Sequence, residues 1–134
     1  MLNVKLMATN DKPLVYSCSG CSNLAQTANH LAVTLNKEQL AEMSCIAGVG
    51  GNVPSLVKKA KSGLKIIAID CFHLSCANAC LGNHDVIPYE HLVLTTYGYK
   101  KRYNEAVSEQ TVNNLLIEAR MIARGLSEEL TDEF

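Results

Sequence analysis

Apolar residues in this chain follow two rhythms: short unbroken runs, and longer stretches in which they return every three or four positions. Unbroken runs suit strands covered on both faces, and the longer rhythm suits helices that bury one stripe. Leu14-Val15-Tyr16 is the first run, and it leads straight into the turn Cys18-Ser19-Gly20-Cys21. Ser22 or Asn23 can then cap a helix with the stripe Leu24, Ala28, Leu31, Ala32 and Leu35. A second, similar unit has a brief extended run ending at Cys45, a tight turn at Gly48, Gly50 and Gly51, and a helix with Pro54 in its first turn and Gly63 as its stop. Lys65 to Asp70, KIIAID, reads as a central parallel strand and ends at Cys71. Ser75 can cap a short helix through Cys80, stopped by Gly82-Asn83, and Leu92 to Thr96 reads as a fourth strand. From Val107 to about Arg124, Val112, Leu115, Leu116, Ala119, Ile122 and Ala123 recur at helical spacing. The acidic tail SEELTDEF is expected to fray.

Strands alternating with helices imply right-handed crossovers and an α/β fold: a single three-layer domain with a short, mainly parallel sheet of about four strands flanked by helices. Residues 1–126 form that domain in this reading, with 127–134 as the tail. Ligands of such sheets bind beyond the carboxyl ends of the strands. Cys18, Cys45 and Cys71 each fall at or just past such an end, and Cys21 and Cys76, at helix starts, face the same edge.

Composition narrows the class. A chain of 134 residues buries roughly 65–70% of its unfolded surface and needs no covalent staples to hold a core. Twelve Lys and Arg balance thirteen Asp and Glu, so there is no electrostatic footprint for nucleic acid. No segment has the length of a membrane span, and MLNVKLMATNDK lacks the apolar stretch of a signal peptide. The expectation is a cytoplasmic protein, in which six cysteines point to metal binding or catalysis rather than to disulfides.

Zinc takes four tetrahedral N or S ligands, and a two-residue spacer lets one turn deliver two of them, as Cys18 and Cys21 can. Cys76, at a helix amino terminus, gains thiolate character from the dipole and free N–H groups. Cys45 and Cys71 compete for the remaining place. Cys80, one turn beyond Cys76, reads as a core residue. His73 lies between Cys71 and Cys76 and could complete a mixed site, whereas nothing distinguishes His30, His84 or His91. Asp70 can accept backbone N–H groups and shape the turn, or act as an acid or base. The glycines of CIAGVGGNVPS lack the Lys-Ser/Thr of a phosphate loop. Lys100-Lys101-Arg102 reads as a solvated face.

The ordered set Cys18-Ser19-Gly20-Cys21-Ser22-Asn23, Cys45-Ile46-Ala47-Gly48-Val49-Gly50, Asp70 with Leu74-Ser75-Cys76-Ala77, and Thr96-Tyr97-Gly98-Tyr99-Lys100-Lys101 resembles the DGC-domain family of proposed zinc-binding proteins, named for an Asp-Gly-Cys motif. That resemblance implies a small cytoplasmic α/β domain with one cysteine-bound zinc ion and no established reaction. Here the motif is Asp70-Cys71-Phe72, so the cysteine stands one position early. On extended chain a slip of one residue turns a side chain to the opposite side. Either a local bulge restores Cys71 to the site or a ligand is lost or replaced. The competing function is thiol redox or sulfur transfer, with Cys18 attacking and Cys21 resolving. Against it, the proline that a thioredoxin-like fold sets before a strand has a poor counterpart in Pro54 or Pro88. A cysteine phosphatase is excluded, because no arginine follows a cysteine at the required short spacing.

Overall fold

The computed structural model describes residues 12–132, with side chains through residue 127. Residues 1–11, where the absence of a signal peptide was read, and residues 133–134 of the acidic tail lie outside the described residues. Four strands form one sheet: β1 (Leu14–Ser17), β2 (Glu42–Met43), β3 (Ile66–Asp70) and β4 (Glu90–Val93). Their order is β2-β1-β3-β4, and every neighbouring pair is parallel. The two inner strands, β1 and β3, are buried at every position, as their unbroken apolar runs require.

The helices are α1 (Asn23–Lys37), α2 (Ile46–Gly50), α3 (Pro54–Ala60), α4 (Cys76–Gly82) and α5 (Glu109–Asp132). On one face of the sheet α1 and α5 pack Leu24, Leu31, Leu35, Leu115 and Ala119 against Val15, Ile67 and Ile69. On the other, Val49 of α2, Ala60 of α3 and Leu81 of α4 pack against Leu14, Tyr16, Ile66 and Ala68. This is the expected three-layer α/β arrangement. No helix among the described residues is long and apolar enough to cross a membrane.

Local departures from the sequence reading have physical causes. The glycine-rich stretch is a short helix rather than a tight turn, because Cys45 caps it and Gly48 lets Leu56 of α3 press against its backbone. A Cβ on Gly48 would lie 2.0 Å from Leu56 Cδ1, closer than any real contact. Strand β4 starts two residues earlier than expected and stops at Val93, which pairs with Asp70, the last residue of β3. Past that point a single further backbone bond, Thr95 N to Cys71 O at 3.3 Å, joins the two chains, and the segment coils into a 3-10 turn, Leu94–Tyr97. Helix α5 starts after Ser108, whose Oγ accepts from Thr111 N at 3.1 Å in capping geometry, and it continues through Asp132, where fraying was expected.

Candidate cysteine site at the sheet edge

Three neighbouring parallel strands each hand the chain to a cysteine. Cys18 follows β1 directly, Cys71 follows β3 directly, and Cys45 lies two residues past β2. Because β2, β1 and β3 are adjacent and parallel, all three residues emerge at the same edge. Cys21 precedes α1 by two residues and Cys76 is the first residue of α4, so the helix starts bring both to that edge.

The thiols differ in setting. Cys18 is buried, with only 4% of its surface exposed, and packs with the α1 and α5 layer, as does the half-buried Cys71. Cys71 N donates to Cys18 Sγ at 3.2 Å, which sets the two residues side by side. Burial, followed by the charge of Cys71, pushes the Cys18 thiol up to about 12. Cys45 is exposed, and its Sγ accepts from Gly48 N at 3.4 Å as the cap of α2. Cys21 and Cys76 are exposed too, Cys21 on the rim of a cleft of about 370 Å³ that also takes in Gln26, His30 and Glu105. Cys80 packs with the opposite layer, against Gly50, where a Cβ would meet its sulfur at 3.0 Å. Burial raises its thiol, and the nearby charges of Cys76 and Asp70 add to the effect.

The sheet thus divides the sulfurs: Cys18 and Cys71 sit with α1 and α5, while Cys80 packs with the other layer beside Cys76. Among the described residues no three His, Cys, Asp or Glu side chains come close enough together to hold a metal ion. The donor types suit zinc, but the positions bring the five candidate cysteines to one edge without closing a ligand shell.

Asp70 organises the far half of this edge. Its carboxylate is fully buried and accepts from Ala77 N at 2.7 Å and Asn78 N at 3.2 Å, the free N–H groups of α4's first turn. Ser75, the residue expected to cap α4, has a left-handed backbone (φ 51°) and makes no side-chain cap bond. Asp70 does that work from the strand end. His91 Nε2 lies 2.8 Å from Asp70 Oδ2 with its side chain 26% exposed, and against an ionised carboxylate it is the donor. Nothing in the sequence marked His91. Its register partner is Ala68, which shares a face of β3 with Asp70, so the signal is strand order rather than composition. His73 is exposed and its ring lies against Phe72, with centroids 3.8 Å apart and the planes tilted by 48°, while His84 Nε2 lies 3.0 Å from Val49 O.

The segment around Lys100-Lys101-Arg102 straps the two cysteine turns together. Ser22 and Tyr103 form an antiparallel bridge, Asn23 N donates to Arg102 O at 2.9 Å, and Arg102 N donates to Asn23 Oδ1 at 2.8 Å. Lys101 lies 5.1 Å from the Phe72 ring, next to Cys71, and 5.8 Å from the Tyr103 ring.

Comparison with known proteins adds two findings. The family model described as the DGC domain matches residues 14–119. The anaerobic and virulence modulator AnvM of Pseudomonas aeruginosa is 55% identical over 106 residues, which cover 79% of this chain and 81% of that protein. No solved structure matches the chain.

Proposed function

The chain belongs to the DGC-domain family, and on that premise we propose that it is a cytoplasmic regulatory module that binds one zinc ion through cysteine thiolates at the carboxyl-end edge of its sheet. The observation that carries this reading is the delivery of Cys18, Cys71 and Cys45 by three adjacent parallel strand ends. Core packing alone gives no reason for cysteines at three such ends, whereas a soft cation needs several thiolates at one place. Cys18, Cys21 and Cys76, with Cys45 or Cys71, are the ligands in this reading. The exposed thiols of Cys21, Cys45 and Cys76 supply the adjustment that closes the shell, so that binding is coupled to local folding. A relative named as a modulator supports regulation over catalysis.

A redox or sulfur-transfer role led by Cys18 has less support. An attacking sulfur must reach its substrate as thiolate, and Cys18 is buried with its thiol driven upward.

The test is elemental analysis of full-length protein purified without added metal, with thiol counting before and after chelation. About one zinc per chain, with thiols that react only once it is removed, is the expected result. Metal-free protein carrying a reversible Cys18–Cys21 disulfide overturns the reading in favour of redox chemistry.

A further inference from the structure

We propose that Cys18 and Cys71 form an oxidation site, closing a disulfide between the ends of adjacent parallel strands. Ser17 pairs with Ile69 at the end of the β1–β3 ladder, and Cys18 N still donates to Ile69 O at 2.9 Å beyond it. Cys18 therefore stands opposite Asp70, and Cys71 is one residue further on. With strands about 4.8 Å apart and a rise of about 3.3 Å per residue, the two Cα atoms lie roughly 6 Å apart. That falls within the span a disulfide bridges, about 4.4–6.8 Å. The side chains point the right way as well: Cys18 Sγ receives Cys71 N–H at 3.2 Å, and the Cys71 thiol is its neighbour. The early cysteine of Asp70-Cys71-Phe72 is what creates this pair. Its neighbour on the strand, Asp70, turns to α4, and Cys71 turns to the layer that holds Cys18.

Accessibility assigns the order of events. Of the two, half-buried Cys71 meets a peroxide before buried Cys18 does, and its sulfur is oxidised to a sulfenic acid as one water leaves. Cys18 needs no access to an outside substrate for the next step, because it already lies against Cys71: as its sulfur bonds to the Cys71 sulfur its proton passes to the departing hydroxyl, which leaves as a second water. The two thiols supply two electrons and two protons, and one peroxide becomes two waters. Cys21 is not the partner here, because the contact of Cys18 is with Cys71. The bond stands on this geometry alone; that it would deprive zinc of a ligand rests on the function proposed above.

The experiment treats the full chain, stripped of metal by a chelator, with a small molar excess of hydrogen peroxide and maps disulfides by non-reducing fragmentation mass spectrometry. Because metal is absent, the map reads the same whether or not the chain binds zinc. Expected are the loss of two of the six free thiols, a fragment pair joined through Cys18 and Cys71, and reversal by a reducing agent. Cys71→Ser, with its fold checked by circular dichroism, loses the crosslink. A first-formed bridge between Cys18 and Cys21, a bridge among Cys71, Cys76 and Cys80, or thiol loss without any linked fragments overturns the proposal. The map of the parent chain decides the matter even if the variant does not fold.

Discussion

Asp70 is fully buried, and its carboxylate ties one element to others: two backbone N–H groups of α4 and the ring of His91 on β4. The sequence indicated that Asp70 accepts N–H groups. It did not indicate which ones, because a helix that begins six residues later, at Cys76, looks as though Ser75 should cap it. The left-handed backbone of Ser75 removes that option, and the carboxylate takes over the cap from a distance. Asp70→Ala leaves two N–H groups in α4's first turn without an acceptor, at a cost of about 2 kcal/mol. A urea melt checks this as a lower midpoint, with Asp70→Asn falling between parent and Ala because one amide oxygen still accepts. If Ala and parent melt together, Asp70 is not the cap of α4. His91→Gln tests the other arm and should cost less, since Ala77 and Asn78 keep their acceptor.

Elements were legible where a run of residues alone decides them. β1 and β3 stand where four or five buried positions follow one another, and α1 and α5 where a stripe returns over many turns. What was not legible depended on a partner: β4 ends because β3 ends, and α2 is helical because Leu56 of α3 reaches its backbone at Gly48. Gly48→Ala should therefore cost about 1–3 kcal/mol through overpacking. Leu56→Ala in the same chain should recover part of that loss, and a double-mutant cycle measured by thermal melts reports the coupling; additive losses would sink the packing account. The carboxyl end of α1 is joined to α5 by a fork in which Arg120 Nε and Nη2 donate to Glu38 at 2.8 and 2.7 Å. The Arg120 hydrogen bonds hold the Glu38 carboxyl below its usual range. A depressed carboxyl pKa stabilises the fold above the unfolded value and ceases to do so as the pH falls through the folded one. Stability should decline on acidification with a part that Glu38→Gln abolishes, and the part should be small and salt-sensitive because the pair is on the surface. Identical acid profiles for parent and Glu38→Gln would contradict this.

At the scale of the whole molecule, topology gathers the cysteines and the sheet then sorts them. The gathering was legible, because parallel strands share one carboxyl edge whatever their order. The sorting was not, because the side of the sheet on which a thiol settles depends on where each strand stops, and Cys71 and Asp70 part company at that point. A zinc ion that recruits thiols from both sides must pull together groups that the folded chain holds apart, so the metal should act as a clamp on the whole edge. Ligand that binds only the folded state stabilises it by about 2.7 kcal/mol at a hundred times its dissociation constant. For a chain of this size that is a melting shift of roughly 10 °C. The shift should grow with free zinc, vanish with chelator, and persist in only one of Cys45→Ser and Cys71→Ser, which identifies the fourth ligand. It should also weaken as the pH falls, since zinc must displace thiol protons: apparent affinity drops by up to about tenfold per pH unit for each proton released. Cys18 carries that dependence to higher pH than an ordinary thiol would, because burial and Cys71 hold its proton tightly until a cation replaces it. Zinc titrations followed by scanning calorimetry at several pH values measure both effects, and a melting temperature indifferent to zinc at every pH would refute the clamp.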